Sequence, residues 1–198
     1  MYKRQPLTWA SEAPLFPNAY THPILPWIFD CWGPQFPAWE KLLRKYRISQ
    51  AFFSSRDAAD YFARVIPGLQ TDWIPEACEP SRFDARKPLA QRTLHVLEIG
   101  RKHPSVHEAI TRPLAQVSKR HMYSSGGSEK PIYPTLDSLY QAFADTVVSL
   151  CYPKSITHPQ GAQWSAHPSC AAGTVETLTQ RYFETIGSGA LAVGTCPR

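Results

Sequence analysis

The segment from Glu176 to Gly194 carries the side chains best suited to chemistry. It reads E-T-L-T-Q-R-Y-F-E-T-I-G-S-G-A-L-A-V-G. Arg181 and Glu184 are three residues apart, so on a helix they share one face and can point together at a ligand. A carboxylate can accept hydrogen bonds from both hydroxyls of a vicinal diol, and a guanidinium can bind a phosphate. The alternative is an exposed ion pair between them, worth only a few tenths of a kcal/mol.

Local signals predict the elements that position these two residues. Thr177 and Gln180 have the spacing of a capping box, which predicts that a helix begins there. Gly187 and Gly189 end that helix, and the apolar run 190–193 is suited to a buried parallel strand. The apolar side of the helix is predicted to comprise Tyr182, Phe183 and Ile186.

A second set of polar residues, Gly100-Arg101-Lys102-His103, follows a predicted strand over Leu94 to Ile99. Pro104 then opens a predicted helix that runs to about Gln116. Backbone amides, the helix dipole and two cations all favour negative charge at this point, so the pattern predicts a diphosphate site. The alternative is a surface turn whose cations face water.

Helices and strands alternate in the second half of the chain, which predicts a doubly wound parallel sheet. A helix over Thr135 to Asp145 precedes a strand over Thr146 to Cys151. Lys154 follows that strand and would project over the carboxyl edge of the sheet.

The first half begins with a predicted helix from Ala38 to Tyr46, which has an apolar stripe and a basic opposite side. The stripe either packs on its own domain or lies on an anionic membrane. A strand, A-F-F-S-S, and a helix from Asp57 to Val65 follow, the helix being capped by one of the two serines. The stretch from Trp73 to Pro80 shows no periodicity and is interpreted as a link.

The R-Y-F-E segment ending at Glu184, with its glycines and apolar run, resembles the donor-binding motif of GT-B glycosyltransferases. Glu176 and Glu184 have the two-glutamate spacing associated with retaining members. The segments Cys151 to Pro159 and Trp73 to Phe83 support the likeness, which extends from about Phe52 onward.

This resemblance implies an α/β protein with a Rossmann-like parallel sheet of GT-B type. Residues 1–85 would be the last part of the acceptor-side domain with the interdomain crossover, and residues 86–198 the nucleotide-sugar-binding domain, truncated at its end. The implied reaction transfers a sugar from a nucleotide diphosphate donor to a hydroxyl acceptor, with retention and without a metal or other cofactor. The acceptor would be a glycan or a lipid-linked molecule.

The resemblance also assigns roles to residues. Three are expected to act in catalysis: Arg101, Lys154 and Glu176. Seven are expected to bind the donor: Gly100, Lys102, Thr157, Thr179, Arg181, Glu184 and Gly187. The alternative function is a non-catalytic nucleotide-binding or interaction fragment derived from such an enzyme.

Composition narrows the function classes. A net charge of +5, from 21 basic and 16 acidic residues, gives mild attraction for anions and does not indicate nucleic-acid binding. Five cysteines without a C-x-x-C pair, and no signal peptide, predict a cytoplasmic protein, with peripheral membrane contact left open.

Seven histidines prompt a search for a metal site. His103 and His107 are four residues apart, and His167 lies three before Cys170. Neither pair belongs to a four-ligand zinc pattern, so the sequence predicts no metal. It also contains no P-loop, G-x-S-x-G or G-x-G-x-x-G motif.

Overall fold

The computed structural model describes residues 24–83, 85–100, 102–123, 132–153 and 175–197. They form an α/β structure with two sheets of parallel strands. The chain divides into two compact units, Met1–Pro75 with His158–Thr177 and Glu76–Thr157 with Leu178–Arg198. The chain thus passes between the units after Pro75, Thr157 and Thr177, whereas the sequence predicts a single division after residue 85.

The first unit contains a three-stranded parallel sheet in the order β1-β2-β3. Its elements in chain order are β1 (Trp27–Ile28), α1 (Phe36–Lys45), β2 (Gln50–Phe53), α2 (Arg56–Val65) and β3 (Gln70–Trp73).

The core of the first unit confirms the predicted helices. Trp39 and Leu43 of α1 are buried in a cluster with Phe53 and Phe62, whose rings stack with centroids 5.1 Å apart. The apolar stripe of α1 therefore packs on its own unit. Ser55 caps α2, because its Oγ accepts a hydrogen bond of 3.4 Å from the Ala58 N–H.

Strand β3 was not predicted, and it ends at Trp73, the first residue of the predicted link. The division between the two units after Pro75 falls within that link. The strand reads Gln-Thr-Asp-Trp and is mostly exposed, so it lacks the apolar alternation by which strands are recognised. It forms through parallel pairing with β2, in which Phe53 lies opposite Trp73.

The second unit contains a four-stranded parallel sheet in the order β5-β4-β6-β7, which is consistent with a Rossmann-like fold. Its elements are β4 (Leu94–Glu98), α3 (Pro104–Gln116), β5 (His121–Tyr123), α4 (Leu136–Ala144), β6 (Thr146–Cys151), α5 (Gln180–Gly187) and β7 (Leu191–Gly194). Helix α3 begins at Pro104 and ends at Gln116, as predicted.

A buried arginine joins three parts of the second unit. Arg92 donates hydrogen bonds from Nε to the Lys87 carbonyl at 3.0 Å, from Nη1 to Thr146 at 2.7 Å and from Nη2 to Ser188 at 2.9 Å. Its guanidinium thus connects the segment before β4, the start of β6 and the residue after α5.

Helix α5 begins later than predicted. Its N-cap is Thr179 and its first residue is Gln180, so the predicted capping box at Thr177 is wrong. The Gln180 N–H donates instead to Oε2 of Glu76 at 2.9 Å, a partner distant in sequence. A tertiary contact here takes the place of the local one.

The faces of α5 also differ from the prediction. Ile186 is 68% exposed, while Glu184 is only 5% exposed, although Tyr182 is buried as predicted. The strand predicted as buried is β7, and it is exposed because it pairs only with β6 at the edge of the described sheet.

None of the helices in the described part of the chain has the length and apolar character needed to cross a membrane. The described cysteines, Cys31, Cys78, Cys151 and Cys196, are all free thiols.

Candidate functional site

The topology of the second sheet defines where a ligand is expected. The chain passes from β4 to β5 on one side and then returns to form β6 on the other side of β4. In open parallel sheets, ligands bind at the carboxyl ends of the strands where the order reverses in this way. The two strand ends are in contact here, since the rings of His103 and Tyr152 lie 5.7 Å apart. The carboxyl edge at β4 and β6 is therefore the candidate site.

A tight turn connects β4 to α3 at this edge. Gly100 has φ +85°, a left-handed conformation that glycine adopts without strain. His103 is the N-cap of α3, and its side chain does not cap the helix. The first amides of a 13-residue helix thus point toward the edge without a side-chain acceptor at the cap, which favours an anion.

Lys102 adds a positive charge to the same edge. Its Nζ lies 5.0 Å from the centroid of the Tyr123 ring, at the end of β5. The structure thus brings Gly100 and Lys102 together with the N-terminus of α3. Arg101, Lys154 and Thr157, which were also predicted for the site, lie outside the described residues.

Glu176 belongs to the first unit. Its N–H donates to Oδ2 of Asp57 at 3.0 Å, and its carbonyl accepts from Oγ of Ser55 at 2.8 Å. Both partners are at the start of α2, so the backbone of Glu176 is fixed there. Arg181 and Glu184 belong to the second unit.

Arg181 and Glu184 bind each other. Nη1 of Arg181 lies 2.8 Å from Oε2 of Glu184, and the guanidinium lies over the ring of Phe143 at 4.9 Å. The pair is largely buried, so it is not the exposed ion pair of the alternative interpretation. Ligand binding by these two side chains stays a prediction.

The last two predicted donor-binding residues are Thr179 and Gly187, and they lie at the two ends of α5. Thr179 is buried at the N-cap of α5. A Cβ at Gly187 would lie 3.4 Å from Sγ of Cys78 and 3.5 Å from the Phe83 ring, so a small residue permits close packing there.

Sequence reasoning missed the most closely packed polar cluster of the candidate site, formed by Glu98, His107 and His121. Glu98 is the last residue of β4 and is fully buried. Its Oε2 lies 2.5 Å from Nδ1 of His107 and 3.2 Å from Nε2 of His121. Glu98 ends β4, His107 lies in the first turn of α3, and His121 begins β5.

Several polar atoms of this cluster have no hydrogen-bond partner among the described residues. They are Oε1 of Glu98 and Nδ1 of His121, and Nε2 of His121 has only the 3.2 Å contact with Glu98, whose angles are poor for a hydrogen bond. The His121 side chain is only 5% exposed. Buried polar atoms are normally paired, so an exception of this kind calls for an explanation.

Burial governs the titration of the groups around the cluster. It lowers the pKa of His121, and the opposing effect of the Glu98 carboxylate does not cancel it. Burial also raises the pKa of Tyr152, and the Glu98 carboxylate raises it further. Tyr123 packs edge-on against His107 with ring centroids 4.6 Å apart.

A cavity of about 340 Å³ is lined by Lys87, Gln141, Ala144 and Asp145. Asp145 immediately precedes β6, so this cavity lies at the amino-terminal edge of the sheet, opposite the candidate site. Lys87 and Asp145 pair with each other there.

No protein-family model matches the sequence, and comparisons with curated proteins and with solved structures give no significant match.

Proposed function

We propose that the chain is a glycosyltransferase of GT-B type whose second unit binds the diphosphate of a nucleotide-sugar donor. One observation carries the proposal: the Gly100 turn and the N-terminus of α3 lie at the carboxyl edge, where the strand order reverses. The R-Y-F-E segment ending at Glu184 supports it independently, through its resemblance to the donor motif of these enzymes.

In the proposed reaction, the bond between the anomeric carbon and the diphosphate oxygen breaks, and a bond to an acceptor hydroxyl oxygen forms. The acceptor hydroxyl loses its proton, and the diphosphate leaves with additional negative charge. The α3 amides and Lys102 would stabilise that charge, together with Arg101 and Lys154 as the sequence predicts. The enzyme would otherwise act by positioning donor and acceptor.

The N-termini of α3 and α5 in the second unit are not equivalent as anion sites. At α5, the Glu76 carboxylate accepts a hydrogen bond from the first amide of the helix, at Gln180. That end already has an anionic partner, which favours α3 as the diphosphate site. Binding of the ribose by Glu184 stays a prediction, and in the structure that carboxylate pairs with Arg181.

Calorimetric titration with uridine and guanosine diphosphates tests the binding step. Lys102→Gln should weaken the affinity about tenfold, since a charge-assisted hydrogen bond contributes about 1.5 to 3 kcal/mol and Lys102 is partly exposed. Lys119→Gln is the matched control, because it removes the same charge just beyond the other end of α3. Equal affinities for the two variants, or no binding of either nucleotide to the unmodified chain, would contradict the proposal.

Catalysis is tested separately, by following release of nucleoside diphosphate from uridine and guanosine diphosphate sugars in the presence of hydroxyl acceptors. Release that depends on acceptor and is reduced by Lys102→Gln supports the transferase. Nucleotide binding without any release supports the alternative, a non-catalytic nucleotide-binding domain.

A further inference from the structure

The cluster of Glu98, His107 and His121 has the composition of a metal site. Each residue offers one ligand atom, and these atoms all lie within 4.8 Å of one another. Around a tetrahedral zinc ion, ligand atoms are about 3.3 to 3.6 Å apart, given bonds of about 2.0 to 2.2 Å. The distance between Nε2 of His121 and Oε2 of Glu98, 3.2 Å, is just below that range. His107 approaches the same oxygen more closely, at 2.5 Å, so the Glu98 carboxylate must rotate for an ion to enter.

Burial makes the cluster unusual. A carboxylate with no exposed surface is costly unless a positive charge compensates it. Oε2 of Glu98 lies against Nδ1 of His107 and Nε2 of His121, but Oε1 of Glu98 and Nδ1 of His121 lack a hydrogen-bond partner among the described residues. A bound cation would compensate the carboxylate charge and would be ligated by one ring nitrogen of His121.

We propose that Glu98, His107 and His121 bind a divalent transition-metal ion such as Zn²⁺. Two imidazoles with one carboxylate favour zinc, cobalt or nickel, whereas magnesium and calcium prefer oxygen ligands. Three protein ligands leave a position open for water or for a ligand oxygen, as in catalytic zinc sites.

The ion would lie close to the proposed diphosphate site. His107 and Lys102 both contact the ring of Tyr123, at 4.6 Å and 5.0 Å. A metal here would add positive charge beside Lys102. The proposed transfer would then involve a metal, whereas the resemblance implies transfer without one. The ion is proposed from the cluster alone, so it stands or fails independently of nucleotide binding.

The test is titration of the chelator-treated full chain with Zn²⁺ alone, without nucleotide. We expect about one equivalent to bind. Glu98→Gln and His121→Asn should each weaken the affinity by more than the roughly 10- to 100-fold that loss of an outer-shell partner costs. His95→Asn is the control, because His95 lies on β4 outside the cluster. Its Nδ1 accepts a hydrogen bond from the Arg120 N–H, and an asparagine side chain also offers a hydrogen-bond acceptor. Binding that is unchanged in Glu98→Gln and His121→Asn would overturn the proposal.

Two further measurements keep the test decisive. In the Co²⁺ form, visible absorption without a thiolate charge-transfer band supports histidine and carboxylate ligands, whereas a thiolate band would assign the metal to cysteines elsewhere and overturn the site. If a variant fails to fold, the side-chain ¹⁵N resonances of His107 and His121 in the unmodified chain decide. They should shift on Zn²⁺ addition while those of His95 do not, and unshifted resonances would overturn the proposal.

Discussion

The backbone N–H of Gln180 donates a hydrogen bond of 2.9 Å to Oε2 of Glu76, a residue 104 positions earlier in the chain. Glu76 opens the second unit, and Gln180 is the first residue of α5. The carboxylate both satisfies an amide that the helix itself cannot pair and lies at the positive end of the helix dipole. The second unit therefore depends on this contact to begin α5 at Gln180.

We predict that Glu76→Ala lowers the free energy of unfolding of the second unit by about 1 kcal/mol, the usual effect of losing an N-terminal cap. Urea unfolding followed by circular dichroism measures it. Glu79→Ala is the control, since its ion pair with Arg82 is exposed and such pairs contribute little. Equal effects of the two substitutions would contradict this role of Glu76.

Gly100→Ala should have two effects, one on stability and one on nucleotide binding. Gly100 has φ +85° and open space where a Cβ would stand, so alanine introduces only backbone strain, about 1 to 2 kcal/mol. Gly68→Ala is a matched control, because Gly68 has φ +81° and equally open space in the first unit. Both variants should lose similar stability in urea unfolding. Only Gly100→Ala should weaken binding of uridine or guanosine diphosphate, and equal affinity in both variants would argue against the turn as a phosphate site.

Local signals made the elements around this turn predictable. Pro104 marks the start of α3, and Thr135 caps α4 through a 3.1 Å hydrogen bond from the Ser138 N–H to its Oγ1. The apolar runs of β4 and β6 are long enough to be read as strands. The predicted positions of Gly100 and Lys102 followed directly from these elements.

Other parts could not be predicted, because tertiary contacts determine them. The three-residue strand β5 exists through its pairing with β4, where Val96 lies opposite His121. That register brings His121 to Glu98, and the first turn of α3 adds His107. Searching the sequence for zinc spacings compares residues along the chain, so it cannot detect a cluster assembled from three elements.

Arg92→Met should destabilise the second unit by about 3 kcal/mol or more. The guanidinium is buried and donates to the carbonyls of Lys87, Thr146 and Ser188, and its removal leaves buried acceptors without donors. Arg92→Lys should restore little of the loss, because an ammonium cannot reproduce the planar array of donors. Arg82→Met, at an exposed arginine, serves as the control in urea unfolding. A loss below about 1 kcal/mol for Arg92→Met would show that water replaces these bonds.

Asp145 should make the stability of the second unit depend on pH in the acid range. Burial acts to raise the pKa of this carboxyl, but hydrogen bonds from Lys87 and from the hydroxyl and N–H of Thr93 outweigh burial and lower the pKa to about 2. Because the folded-state pKa lies below the unfolded value, the stabilisation is fully present above about pH 5 and is lost as the pH falls toward 2. After allowance for solvent screening we expect about 1 to 2 kcal/mol.

The measurement compares the unfolding free energies of the unmodified chain and Asp145→Asn from pH 7 to pH 2. Their difference should be constant down to about pH 5 and then shrink, because protonated Asp145 and asparagine are both neutral. Asp60→Asn, at an exposed residue of α2, should give a small difference that does not follow this curve. If the difference for Asp145→Asn persists at pH 2, the loss comes from packing around Lys87 and Thr93, and the charge of Asp145 is not its source.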